Sequence, residues 1–66
     1  MGNEAEGLRK LYLGEFNDMM TEGRPDGSKI ITLTSRKDPE VYRFRVRGLY
    51  GSDEELLDID TGEPLR

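Results

Sequence analysis

The 66-residue chain contains no cysteine, no histidine and no tryptophan. Without cysteine there is neither a disulfide framework nor a thiolate metal site to staple a small fold, and no thiol nucleophile. Without histidine the side chain that most readily titrates near neutral pH is missing, and with it the usual neutral-pH general base. Gly-Lys-Ser/Thr phosphate loops and Gly-x-Ser-x-Gly nucleophile elbows are also absent. These absences predict a protein that is not an enzyme, with no catalytic residue, no cofactor and no bound metal. No apolar run approaches the ~18 residues of a membrane span, and no signal-peptide or basic targeting stretch is visible. The expected location is the cytoplasm, away from membranes.

Apolar residues are sparse as well. Leu, Ile, Val and Phe together supply 15 of the 66 residues, just above the ~20% below which disorder becomes the default. A chain this short buries only about 60% of the surface its unfolded form exposes. The expectation is a single folded domain over 1–66 with a thin core, frayed at 1–5 and closed by a short turn and tail at 61–66.

What is present is charge, and it is segregated. The net charge of −4 divides into −3 over residues 1–22, +4 over 23–50 and −5 over 51–66. An acidic beginning and end flank a basic middle. The fold must either pair these charges or display them as separate patches.

The central stretch is Val41–Tyr50. Tyr42, Phe44 and Val46 alternate with Arg43, Arg45 and Arg47 at the two-residue period of a strand, which sorts an apolar face from a cationic one. Lys29–Ser35, rich in β-branched residues, reads as its hairpin partner across the polar connection 36–40. Upstream, Leu8, Leu11, Tyr12, Phe16, Met19 and Met20 fall at steps of three and four, which predicts an amphipathic helix within 6–21. Asn3 is a candidate N-cap, and Gly23 with Pro25 a candidate helix stop. Ser52 to Glu55 has the spacing of a helix capping box, but Leu56–Asp60 followed by Thr61-Gly62 favours a third strand at 55–60, and Pro64 confines any further strand to an edge stub. The predicted fold is α+β, one N-terminal helix packed on a three-stranded antiparallel β-meander.

Two clusters are candidate binding surfaces. Asp53, Glu54, Glu55, Asp58, Asp60 and Glu63 lie within eleven residues; they form either a solubilising acidic face or a patch for a basic protein surface. They do not make a calcium loop, because Gly62 stands where the third oxygen ligand is needed and the chain ends before the twelfth position. Arg43, Arg45 and Arg47, extended by Arg36 and Lys37, form either a solvated face paired with Asp58 and Asp60 or a phosphate-binding row for nucleic acid. Arg47-Gly48-Leu49 lacks the aromatic that an RNA-recognition strand places after its glycine. The leading expectation is a small protein-binding module, an adaptor, inhibitor or regulator, acting through the acidic patch or an exposed sheet edge. The alternatives are nucleic-acid binding through the arginines, and a structural or homo-oligomeric subunit that packs the helix stripe with Met19 and Met20 against a second copy.

Overall fold

The computed structural model describes residues 3–65 apart from 38 and 52, with Asn3 described by its backbone alone. Among the described residues a single helix, α1 (Asn3–Leu13), is followed by four strands, β1 (Asp18–Gly23), β2 (Lys29–Thr34), β3 (Tyr42–Arg47) and β4 (Glu55–Leu57). The strands form one antiparallel sheet in the order β1-β2-β3-β4. This is the expected α+β arrangement with one strand more than the sequence predicted.

The extra strand comes from the second half of the predicted helix. Helix α1 stops at Leu13 because Gly14 takes a left-handed φ of 72°. The Gly14 N–H then donates to Leu11 O at 3.2 Å and the Glu15 N–H to Lys10 O at 3.0 Å. That pair of bonds is the Schellman closure, and a glycine at this position enters the left-handed region without a Cβ penalty. Phe16, Met19 and Met20 therefore leave the helical stripe, and the last two enter β1. The turn after β1 reinforces this: Gly27 N–H donates to Arg24 O at 3.0 Å and Arg24 N–H to Ser28 O at 2.8 Å, with Gly27 at φ 89°. A type I turn followed by a left-handed glycine is a hairpin connection, so Pro25-Asp26-Gly27 joins two strands rather than ending a helix. Strands β2 and β3 lie within their predicted spans, and β4 covers only the first half of 55–60. Pro64 forms the predicted stub as an isolated bridge to Leu57. The N-cap role of Asn3, the capping box of Ser52 and the loop position of Asp38 lie outside the described side chains.

The main core lies between α1 and the sheet. Leu11, Ile31, Leu33, Tyr42, Phe44 and Val46 are buried there, with Leu8, Phe16, Leu49 and Leu56 packed at its margin. At Gly7 helix and sheet approach too closely for a side chain: a Cβ at that position would lie 2.7 Å from Phe44 Cδ1 and 3.2 Å from Tyr42 Cβ. The glycine that weakens α1 as an isolated helix is what lets it seat on Phe44.

The opposite sheet face carries a second, smaller buried group. Ile30, Leu57 and Arg45 are all buried, although register places them on the face away from α1, and Ser28, bonded to Arg45, is buried with them. The C-terminal segment folds back beside them, with Asp58 N–H donating to Glu63 O, Gly62 N–H to Asp58 O and Leu65 N–H to Leu56 O.

Candidate functional site

Arg43, Arg45 and Arg47 share the sheet face away from the helix, but they do not form a uniform row. Arg43 and Arg47 are exposed, while Arg45 is 8% exposed. Its guanidinium donates from Nε to Ser28 Oγ at 2.8 Å, from Nη2 to Asp26 Oδ2 at 2.9 Å and from Nη1 to Ile59 O at 3.4 Å. Gly62 lies flat against the guanidinium, leaving no room for a Cβ, which would be 2.9 Å from Cζ. One side chain thus joins the β1–β2 turn, β3 and the C-terminal segment. This fork geometry suits arginine and not lysine.

The charge pairing differs from the predicted match to Asp58 and Asp60. Arg45 pairs with Asp26 at 2.9 Å and Arg47 with Glu55 at 3.9 Å. Asp26 also accepts from the Ser28 hydroxyl and N–H. The Ser28 hydroxyl bond and then the Ser28 N–H bond lower its pKa to about 2 against the opposing effect of desolvation, with the Arg45 charge and hydrogen bond as smaller lowering contributions. Arg36 and Lys37 are exposed at the β2–β3 connection, where Arg36 N–H is held by Asn17 Oδ1 at 2.7 Å and Lys37 N–H by Ser35 Oγ at 3.2 Å.

The acidic stretch is divided between internal and external roles. Asp58 Oδ1 accepts the N–H groups of Asp60 and Thr61, at 2.8 and 3.0 Å. The Thr61 and then the Asp60 N–H bonds pull its pKa down. Glu54 accepts the Tyr12 hydroxyl and Glu55 pairs with Arg47. Asp53, Asp60 and Glu63 are exposed. The six acids do not present one uninterrupted face.

Close to Glu54 the Tyr12 and Tyr50 rings meet edge to face, with centroids 5.2 Å apart at 83°. Tyr50 N–H donates to the Tyr12 hydroxyl at 3.2 Å. Tyr50 is held at φ 63°, a region bulky residues rarely occupy. This contact fixes the loop after β3 to the end of α1.

The two sheet edges differ. The outer edge of β4 is covered by Pro64 and Leu65. All six residues of β1 are exposed, including Met19 at 47% and Met20 at 72%. Because Arg24 and Ser28 form a hydrogen-bonded pair, the alternation of an antiparallel ladder turns the backbone groups of Asp18, Met20 and Glu22 toward β2. Those of Met19, Thr21 and Gly23 point outward. Beside this edge, on the face away from α1, a shallow groove of about 210 Å³ is lined by Met20, Thr21, Glu22, Ile30, Thr32 and Arg43.

Sequence reasoning missed this edge because it placed Met19 and Met20 in the helix. The signals that could have found it are Gly14, four residues after Lys10, and the hairpin-forming Pro25-Asp26-Gly27. Among the described residues, no group of three or more acids could hold a metal ion, and no helix is long and apolar enough to cross a membrane. Comparison of the chain with family models, with curated proteins and with solved structures finds no match to any of them.

Proposed function

We propose that this chain is a small, non-enzymatic protein-binding module, an adaptor, inhibitor or regulator working in the cytoplasm, and that it binds by accepting an extended strand along β1. The observation that carries the reading is the asymmetry of the edges: β4 is closed by the chain's own C-terminal segment, while β1 is wholly exposed. An open edge offers unpaired N–H and C=O groups, and native proteins leave one long and uncovered chiefly at a cost in aggregation. Met19 and Met20 add flexible apolar contacts suited to a partner of variable sequence. The acidic patch is the weaker surface, since Glu54, Glu55 and Asp58 already have partners within the chain. Nucleic-acid binding loses its central residue, with Arg45 held by Asp26 and Ser28.

The test is Thr21→Pro. The Thr21 N–H points outward, so proline removes a donor from the open edge and none from the β1–β2 ladder. Against a displayed library of extended peptides, the unmodified chain is expected to select binders and Thr21→Pro to lose them while keeping its circular dichroism spectrum. Selected binders that hold Thr21→Pro equally well would contradict strand addition.

A further inference from the structure

A second copy of β1 is itself a strand that fits this edge, and the register it must take is set by charge. A twofold axis perpendicular to the sheet continues it antiparallel and keeps each copy's faces aligned, so opposed residue numbers must add to an even number. Centring the pair on Met20 sets Asp18 against the partner's Glu22, and centring it on Glu22 sets that carboxylate against its own copy; like charges directly opposed are destabilising. Centring on Met19 overlaps β1 only over residues 18–20, and centring on Gly23 overlaps it only at that residue and sets Pro25, which has no N–H, against the partner's Thr21. Centring on Thr21 opposes Asp18 to the partner's Arg24, Met19 to the partner's Gly23, Met20 to the partner's Glu22, and Thr21 to the partner's Thr21. The opposed pairs at 19, 21 and 23 are then those whose backbone groups point outward, so each can exchange two hydrogen bonds.

Resting on the strand-addition reading, we infer that two copies pair through β1 in the register centred on Thr21, making one continuous antiparallel sheet across the dimer. Arg24 supplies the charge complementarity. It holds Glu22 of its own chain at 2.8 Å with its side chain 40% exposed, which leaves guanidinium donors for the partner's Asp18. The contact involves one short strand from each copy, at the small end of protein interfaces. The dimer is therefore weak and concentration-dependent.

Because the chain has no cysteine, single introduced cysteines report the register directly. Hydrogen-bonded antiparallel pairs have Cα atoms about 5.5 Å apart, within disulfide reach, so Thr21→Cys is expected to cross-link to itself under mild oxidation. Met19→Cys, whose two copies would lie about 13 Å apart along the strands, is expected to cross-link on the order of tenfold more slowly or not at all. In sedimentation, Asp18→Arg should shift the chain toward monomer, and adding Arg24→Asp should restore the dimer. Thr21→Cys cross-linking no faster than Met19→Cys, or an unmodified chain that stays monomeric through the high-micromolar range, overturns the pairing. If peptide capture sensitive to Thr21→Pro persists in that case, the edge binds strands but not its own copy. If capture fails as well, the functional reading fails with it.

Discussion

Replacing Gly7 with alanine sets two effects of known size against each other. On an exposed helix the change stabilises by about 1 kcal/mol through helix propensity. Here the new Cβ would lie 2.7 Å from Phe44 Cδ1 and 3.0 Å from Cε1. An ordinary carbon–carbon contact is about 3.5–4.0 Å, so the helix or the ring must retreat by roughly 1 Å. Phe44 is 0% exposed, with Ile31 its cross-strand neighbour and 1% exposed, so the ring has no space to enter. Moving α1 outward instead loosens Leu11 and Leu8 from the same core. Overpacking of this kind costs about 1–3 kcal/mol and outweighs the propensity gain, leaving the variant less stable by about 1 kcal/mol. At this chain length that is roughly 4–8 °C in Tm. Urea unfolding followed by far-ultraviolet circular dichroism gives the number. Gly23→Ala is the control: nothing lies within 4 Å of its Cβ and its φ is not left-handed, so it should be neutral or slightly stabilising. A Gly7→Ala protein more stable than the parent would mean that α1 does not rest on Phe44.

Three further outcomes follow from the contacts around Arg45 and the helix end. The Asp26 carboxyl is lowered to about 2 from an ordinary value of 3.8, so its contribution is complete above the ordinary value and disappears as pH falls toward about 2. Asp26→Asn should therefore flatten the loss of stability in that acid window, measured by urea midpoints across pH; an unchanged acid slope would remove Asp26 from the account. Arg45→Lys should destabilise by about 1–2 kcal/mol through loss of charge-assisted hydrogen bonds, whereas exposed Arg43→Lys should stay within about 0.5 kcal/mol; equal effects in thermal unfolding would contradict the tie to Asp26, Ser28 and Ile59. Gly14→Ala should cost about 1–2 kcal/mol, because φ 72° is left-handed, and a neutral result by the same assay would contradict the helix closure at Leu13.

The central hairpin was legible in the sequence because period-two alternation over Tyr42–Arg47 has no competing explanation. The apolar side of that strand is buried against α1 as the pattern required. The region 14–23 was not legible in the same way. Phe16, Met19 and Met20 satisfy helical spacing, yet β1 pairs with β2 over six positions, and tertiary pairing overrides a local period. The competing local signals were Gly14, which reads equally as a costly interior glycine or as a helix end, and Pro25-Asp26-Gly27, which reads equally as a helix stop or as a hairpin turn. Burial of Arg45 was hidden for a different reason. Alternation assigns a residue to a face, but it does not say that the C-terminal segment returns to cover part of that face beside Leu57 and Ile30. The open edge inherited the error at β1, since a strand read as a helix cannot be seen as a sheet edge.

Residue-resolved amide hydrogen exchange tests the role of that edge most directly, read on the dilute chain and again at concentrations where copies associate or with a selected peptide bound. Met20 and Glu22, turned toward β2, should be protected throughout. Met19, Thr21 and Gly23 should exchange freely in the dilute chain and become protected on association. Protection of these three in the dilute monomer, or their free exchange in the bound state, would contradict β1 as the interface.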